Sequence, residues 1–255
     1  MSDRALIQIG FRLFSDSAEQ NDSERIDIEE TLLSVIETFP GDHRLASVLL
    51  SWIKVHGKHV IVEKMAKIAK RAEHGGNGAS TWLSLVAAWA VECGYHKWGK
   101  LARPVAGPVY LYDPDVSESA IGLKGLLSWP DPLGFRIPKG SLRIRESDVL
   151  TPDELIAVNP QYRNRYLYGA SWRADIITAV QQGISSPMAI SRLLGCSYEP
   201  AHRISREYRM AIKMEASAGG TASTPEGCAS RRGNVPRGSA SAGKRLDAAT
   251  SAAPA

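Results

Sequence analysis

The stretch from Ser186 to Lys213 constrains the fold of this 255-residue chain most strongly, because it carries start and stop signals for two consecutive helices. Ser186 is a helix-capping residue, and Pro187 takes the first helical position, where a missing N–H group costs nothing. Gly195 can adopt the positive φ of a sharp turn, so the first helix ends there. Ser197 then caps a second helix. The pattern predicts two helices joined by a tight turn.

Apolar and basic residues fall on different faces of the second helix. The apolar positions follow the spacing of a buried stripe and are Ala201, Ile204, Tyr208, Ala211 and Ile212. The basic residues share a second line and are His202, Arg206, Arg209 and Lys213, with Arg203 beside them. Guanidinium groups can fork onto phosphate oxygens or onto the edge of guanine. We therefore expect the apolar face to pack on its own domain and the basic face to meet a polyanion.

This stretch resembles the helix-turn-helix superfamily of DNA-binding domains. The positions that match buried or small residues of the family are Ile190, Ser191, Leu194, Gly195, Cys196, Ala201 and Ile204. The chain departs from the family pattern at Ser191, where alanine is usual, and at the early Pro200. Residues 172–182 are predicted to form the supporting helix, and the match covers residues 172–213 only.

The resemblance implies which residues contact DNA, because the N-terminal part of the recognition helix enters the major groove. The residues that would face the groove are Ser197, Tyr198, Glu199, His202, Arg203 and Arg206. Arg203 and Arg206 are the expected base or phosphate contacts. Ser186, Arg173 and Arg209 would contact the DNA backbone. The alternative is a plain helical hairpin whose arginine row is a solvated face.

Composition and periodicity divide the whole chain into four parts. They are a helical N-terminal unit at 1–98, a short β-containing connecting segment at 99–150, a helix-turn-helix DNA-binding domain at 151–214, and a disordered Ala/Ser/Gly-rich tail at 215–255. The predicted fold class is mainly α with a small β segment. The C-terminal domain would be winged-helix-like with its wing absent or minimal, because no strand pair is predicted after Lys213.

Three short segments in the connecting part have the composition of strands. They are 109–113, 134–137 and 141–146. A Pro-Lys-Gly turn separates the last two and would allow them to pair as a hairpin. The alternative for this part of the chain is an extended linker with local pairing.

Charge is distributed unevenly along the chain, whose net charge is only +4. Basic residues gather between 162 and 213, as the footprint of a nucleic-acid site should. The acidic residues between 16 and 37 are expected to form a solvated face and loop. The helix near 60–72 is lysine-rich, with Lys64, Lys67, Lys70 and Arg71 directed away from the core. A solvated face is the expected reading of that helix, and a second DNA-binding helix pair is its alternative.

No motif in the sequence indicates a cofactor, since the chain lacks a P-loop, a dinucleotide-binding glycine pattern and an H-E-x-x-H pair. His56 and His59, together with Cys93 and His96, have the spacing of two zinc half-sites. Each pair falls at a predicted helix end, where histidine is common. We therefore expect no metal site, with a zinc staple of the helical unit as the alternative.

The cysteine spacing and the lengths of the apolar runs indicate where in the cell the protein is expected. Cys93, Cys196 and Cys228 are odd in number and widely spaced, which argues against a disulfide framework. No apolar run approaches the length of a membrane span. A cytoplasmic protein is expected.

Taken together, the sequence predicts a sequence-specific double-stranded DNA-binding protein, a transcriptional regulator and not an enzyme. Paired half-sites would raise the affinity of one small motif, so a homodimer is expected, with the N-terminal helical unit as its contact. One alternative is a protein-interaction module, such as an antitoxin or adaptor with an autoregulatory helix-turn-helix. Another is a nucleic-acid-processing enzyme that uses the acids Asp113, Asp115 and Glu118.

Overall fold

The computed structural model describes residues 3–12, 26–39, 42–73 and 79–219, and these residues are mainly helical. Their α-helices are α1 (Asp3–Gln8), α2 (Ile28–Glu37), α3 (His43–His56), α4 (Val62–Glu73), α5 (Ala79–Glu92), α6 (Pro114–Lys124), α7 (Pro152–Val158), α8 (Pro160–Tyr168), α9 (Trp172–Gln181), α10 (Pro187–Leu194) and α11 (Tyr198–Gly219). The strands are β1 (Val109–Tyr110) and β2 (Phe135–Arg136). The prediction of a mainly α fold with a small β segment is confirmed.

Local capping chemistry sets several helix starts where the sequence predicted them. Asp42 accepts a hydrogen bond from the amide of Leu45 at the start of α3. Thr151 and Glu154 form a reciprocal capping box at α7. The Ser186 side chain accepts from an amide in the first turn of α10. These residues satisfy amide groups that a helix leaves without partners at its N-terminus.

The two strands pair in parallel, with Val109 opposite Phe135, so the predicted hairpin between 134–137 and 141–146 is wrong. The hydrogen-bond partners explain the difference. The amide of Arg143 donates to the Ser47 hydroxyl, and the amide of Arg145 donates to the Ser51 hydroxyl, both on α3. The segment at 141–146 therefore uses a helix, and not a strand, to satisfy its amides.

The first hydrophobic core extends from Leu6 to Tyr162. Its largest fully buried apolar side chains are Trp52, Trp98, Tyr162, Phe11, Phe39 and Phe135. Helices α7 and α8 contribute Leu155 and Tyr162 to it, so this core crosses the predicted boundaries at 98 and 150. The connecting segment and the two helices after it thus pack against the N-terminal helices.

A second, smaller core lies among α9, α10 and α11. Its buried residues are Ile176, Ile177, Ala179, Ile190, Leu194, Cys196, Ala201 and Ile204. Burial is thus confirmed at the positions that the helix-turn-helix pattern required to be buried. This core holds the predicted supporting helix against the two helices that follow it.

Burial was predicted wrongly at two apolar positions of α11. Ala211 and Ile212 are exposed. Helices α9 and α10 have ten and eight residues, whereas α11 has 22 residues. The two shorter helices cannot cover the later turns of so long a helix, since each residue adds about 1.5 Å.

Some predictions lie partly or wholly outside the described residues. The acidic loop at 15–25 and the tail at 220–255 are among them. Helix α11 continues to Gly219, so the first residues of the predicted disordered tail are helical. Within the described ranges, no helix combines the length and the apolar character needed to cross a membrane.

Candidate nucleic-acid interface

The turn between α10 and α11 is built on a left-handed glycine. Gly195 has φ 68° and ψ 24°, and its amide donates to the carbonyl of Ser191. The amide of Cys196 donates to the same carbonyl at 3.2 Å. The Ser191 hydroxyl donates to the carbonyl of Cys196 at 2.7 Å. Ser191, which departs from the alanine usual at this position, thus closes the turn by a side-chain hydrogen bond.

We expect Gly195→Ala to lower the free energy of unfolding by about 1–2 kcal/mol, because a Cβ is crowded at left-handed φ. A Cβ there would also lie 3.3 Å from Nη2 of Arg71, a flexible group that can move aside. Urea denaturation measures the change. Gly122→Ala in α6 is the control, since its Cβ would meet nothing within 4 Å. Equal effects of the two substitutions would show that the turn does not require glycine.

All six residues predicted to face the major groove are exposed, and all lie at or near the start of α11. They are Ser197, Tyr198, Glu199, His202, Arg203 and Arg206. The rings of Tyr198 and His202 stack, with centroids 5.7 Å apart and planes at 26°. Nε of Arg203 lies 3.4 Å from Oε1 of Glu199. Both pairs are four residues apart and therefore neighbours on the helix surface.

The basic line predicted along α11 does share one face. His202, Arg206, Arg209 and Lys213 line the same open cavity, beside Pro187 at the start of α10. The cavity is about 280 Å³ in volume and open to solvent. The face between α10 and α11 is therefore basic over about three turns of α11.

The three predicted backbone-contacting residues have partners within the protein. The Ser186 side chain caps α10, and Nη1 of Arg173 lies 3.9 Å from Oε2 of Glu207. Nη2 of the half-buried Arg209 donates to the carbonyls of Ile184 and Ser185, at 3.2 and 2.6 Å. Arg209 thus ties α11 to the link between α9 and α10, and its contact with DNA stays a prediction.

Two exposed basic residues of α4 border this motif. Nζ of Lys67 lies 5.2 Å from the ring centroid of Trp172, the first residue of α9. The guanidinium of Arg71 lies against the α10–α11 turn, within 3.3 Å of the Cβ position at Gly195. The sequence did not reveal this proximity, because composition and periodicity place α4 in a separate helical unit. Lys67 and Arg71 are visible in the sequence as a basic pair four residues apart. Their spacing does not show that they lie beside the α10–α11 turn.

A buried ionic network lies beneath the motif. Arg165 forks onto both oxygens of Glu29 at 2.6 and 2.7 Å and onto both oxygens of Asp175 at 2.8 Å. Nζ of Lys64 lies 2.8 Å from Asp175 and 3.0 Å from Glu29, and it also contacts Asp27. We call these five residues the ionic network. They come from α2 and its cap, α4, α8 and α9, so the network joins four helices.

The charges of the ionic network sustain one another. Burial alone would raise the pKa of Asp175, but Arg165 and Lys64 outweigh burial and hold that pKa far below its usual range. Burial would likewise lower the pKa of Lys64, but the pKa is raised by Glu29, Asp175 and Asp27. Asp175 and Lys64 therefore both stay charged. The formal charge of the ionic network is −1, since three carboxylates face two cations.

The ionic network corrects the predicted positions of its members. Asp27 and Glu29 were expected on a solvated acidic face, and Lys64 was expected to point away from the core, but all three are buried. Arg165 was counted in the basic footprint, yet it is fully buried and neutralised. The partners Arg165 and Glu29 are 136 residues apart, and no local pattern reveals such a pair.

Cations already occupy the carboxylate cluster that could otherwise hold a metal. Among the described residues, Asp27, Glu29 and Asp175 form the one group close enough to ligate an ion. The ammonium of Lys64 contacts all three carboxylates. The zinc alternative finds no support in the described part of the chain, because His56 and His59 belong to no such group.

His56 and His59 pack beside Tyr162 instead. Nε2 of His56 lies 2.9 Å from the carbonyl of Leu150, so it carries the proton, and Nδ1 accepts from the Tyr162 hydroxyl at 2.8 Å. The His59 ring lies 4.7 Å from that of Tyr162 and 5.4 Å from that of Tyr166. Burial lowers the pKa of each histidine to about 4.

The acids near Asp113 have structural partners. The Asp113 side chain caps α6 by accepting from the amides of Asp115 and Val116. Glu118 forms an ion pair with Arg136 and accepts a hydrogen bond from the Tyr110 hydroxyl. Arg136 and the Tyr110 hydrogen bond lower the pKa of Glu118. These contacts position α6 against β1 and β2.

The resemblance of residues 172–213 to helix-turn-helix domains thus rests on three helices, a left-handed turn glycine and a shared apolar core. The exposed basic face of α11 adds the charge that such domains present to DNA. Comparison with protein-family models, with curated proteins and with solved structures finds no match for this chain in any of the three.

Proposed function

We propose that this protein binds double-stranded DNA sequence-specifically through the first turns of α11, and that it regulates transcription. One observation carries the proposal. Arg203 and Arg206 are exposed on the same helix whose opposite side, at Ala201 and Ile204, is buried in the second core. A helix fixed along one side and basic on the other can lie in the major groove, which is about 12 Å wide.

The side-chain chemistry supports this reading. Arginine can fork onto guanine or onto phosphate, and histidine, tyrosine and glutamate can add contacts to base edges. The ion pair between Arg203 and Glu199 is exposed on both sides, so it is weak. A phosphate or a guanine can therefore displace Glu199 from Arg203.

We further propose a winged-helix-like domain with its wing absent or minimal. Helix α11 continues to Gly219, so residues 215–219, which directly follow the helix-turn-helix stretch, are helical and not a strand. A homodimer through the N-terminal helices belongs to the same proposal, because two half-sites multiply the affinity of one small motif. A cytoplasmic location agrees with a role on DNA.

A protein-interaction module, such as an antitoxin or adaptor, is the second candidate. Three consecutive large apolar residues, Tyr166, Leu167 and Tyr168, are 48%, 66% and 44% exposed at the end of α8. Exposed apolar residues that lie together favour contact with another protein. In that case α11 would serve autoregulation, and the affinity for random DNA would not depend on its arginines.

The test is fluorescence anisotropy of the full chain on random duplex DNA across a range of salt concentrations. We expect the wild type to bind with an affinity that falls steeply with salt, because phosphate contacts release counterions. The Arg203→Ala/Arg206→Ala variant should bind more weakly, and the slope of log affinity against log salt should fall by about 2.

A matched control removes the same charge elsewhere. Arg103 and Arg143 are exposed in the connecting segment, so Arg103→Ala/Arg143→Ala should keep the wild-type salt slope. If the wild type does not bind duplex DNA, or if both double variants bind like the wild type, α11 is not the DNA-contacting surface. A search for a protein partner at the end of α8 would then follow.

A further inference from the structure

We infer that α4 supplies a second set of DNA-phosphate contacts, made by Lys67 and Arg71, directly beside the α10–α11 turn. The inference rests on the proposed function of α11 and extends it, since it makes the interface composite. Helix α11 would contact base edges in the major groove, and α4, from the N-terminal part of the chain, would contact the phosphates along the edge of the groove. Phosphate contacts of this kind fix the orientation of a protein on the duplex.

The distance from the turn to the recognition helix supports the inference. The Arg71 guanidinium lies against Gly195, and Tyr198 follows three residues later. Three residues span at most about 11 Å. The major groove is about 12 Å wide, and phosphates line both of its walls. A cation this close to the start of a groove-bound helix is therefore within reach of a wall.

The placement of Lys67 on the same face of α4 adds a second contact. Lys67 and Arg71 are four residues apart, so their side chains emerge one above the other. Both are exposed. The face of Trp172 holds the Lys67 ammonium at 5.2 Å, which orients the side chain without burying its charge. The two cations thus form a short basic row from the start of α9 to the α10–α11 turn.

The ionic network makes this row rigid relative to the recognition helix. Lys64 lies one turn before Lys67 on α4, and its ammonium bonds Asp175 of α9 at 2.8 Å. Arg165 holds Asp175 from the other side. The positions of α4 and α9 are therefore fixed before DNA arrives. Preorganised contacts lose less conformational freedom on binding, so they contribute more to affinity.

The acidic side chains described near Lys67 and Arg71 are paired with other cations. On α4, Glu63 lies 3.6 Å from Lys100. On α11, Glu199 pairs with Arg203. The acids of the ionic network are already paired with Lys64 and Arg165. Lys67 and Arg71 thus remain basic groups at the surface, next to the turn that leads into the groove-facing residues.

The test is the salt dependence of the affinity of the full chain for random duplex DNA, measured between about 50 and 200 mM salt. We expect Lys67→Gln/Arg71→Gln to reduce the slope of log affinity against log salt by about 2, because each lost phosphate contact lowers it by about 1. The loss should be the same on unrelated duplex sequences, since phosphates carry no sequence information.

Two controls keep the result interpretable. Lys97→Gln/Lys124→Gln removes the same charge from exposed residues on other elements and should leave the slope unchanged. The swap Lys67→Arg/Arg71→Lys keeps both charges and should retain the wild-type slope. If the swap also loses affinity while thermal unfolding is unchanged, side-chain packing and not charge accounts for the effect, which would overturn the inference.

The remaining outcomes separate this inference from the proposed function. A reduced slope in Arg203→Ala/Arg206→Ala with an unchanged slope in Lys67→Gln/Arg71→Gln would overturn the role of α4 and leave the recognition helix in place. Absence of any wild-type binding to duplex DNA would overturn both. A reduced slope in both variants is the result that a composite interface requires.

Discussion

Replacing Arg165 with methionine should lower the free energy of unfolding by about 3–5 kcal/mol, because removing one partner of a buried ion pair leaves the others uncompensated. Glu29 and Asp175, whose side chains are fully buried, would each lose a two-pronged contact. Only Lys64 would remain to balance three carboxylates. Urea denaturation at neutral pH measures the loss.

Arg163→Met is the matched control for this prediction. Arg163 lies two residues earlier on α8 and is exposed, so its replacement should change stability by no more than about 0.5 kcal/mol. Similar small losses in both variants would mean that the ionic network does not hold the four helices together. A large loss for Arg165 alone would establish that the network holds α8 and α9 to the N-terminal helices α2 and α4.

Lowering the pH from about 6.5 to 4 should destabilise the fold by about 3 kcal/mol for each of His56 and His59. Both pKa values lie near 4 in the folded chain, below the ordinary value of 6.5. Between these values the unfolded state binds protons that the folded state does not. The contribution of the two histidines to the free energy of unfolding is therefore complete above pH 6.5 and decreases as the pH drops towards 4. Chemical denaturation at several pH values measures it.

A substitution separates the histidines from the carboxylates. Burial alone would raise the pKa of Asp27, but Lys64 and Arg165 outweigh burial and hold that pKa below its ordinary 3.8. The contribution of Asp27 to stability is therefore lost only under more acidic conditions.

Nε2 of His59 is buried without a hydrogen-bond partner, so His59→Phe removes a titrating group and fits between aromatic rings. This variant should lose about half of the acid sensitivity, whereas His96→Phe, at an exposed site, should keep it. A wild type equally stable at pH 6.5 and 4 would refute the prediction.

Features encoded by neighbouring residues could be predicted from the sequence. The caps at Asp42, Thr151 and Ser186 and the turn at Gly195 depend on residues within one helical turn. The burial of Ile190, Leu194, Ala201 and Ile204 follows from helical spacing in the same way. The exposed basic face of α11 is the complement of that stripe, so most of the candidate interface was visible in the sequence.

Features that depend on distant residues could not be predicted. In the sequence, Arg165 belongs to a cluster of basic residues. Its guanidinium donates to Glu29, which is far away in the chain, so the sequence does not reveal this pair. The position of Arg71 beside Gly195 depends on how α4 packs, and its own sequence carries no sign of that. The length mismatch between α11 and its two partners likewise exposed Ile212, which periodicity alone assigned to the core.

The contact between α3 and the segment at 141–146 depends on a near-coincidence of two repeats. Ser47 and Ser51 are four helical residues apart, a rise of about 6.0 Å, while Arg143 and Arg145 are two extended residues apart, about 6.6 Å. A mismatch of about 0.6 Å is tolerable for two hydrogen bonds, but it accumulates with every further pair. An extended chain can therefore follow a helix for only a few residues, and here the extended stretch ends in a short 3-10 helix at Glu146–Asp148. The different repeat distances of the helix and the extended segment thus limit how many residues of the segment can hydrogen-bond to the helix surface.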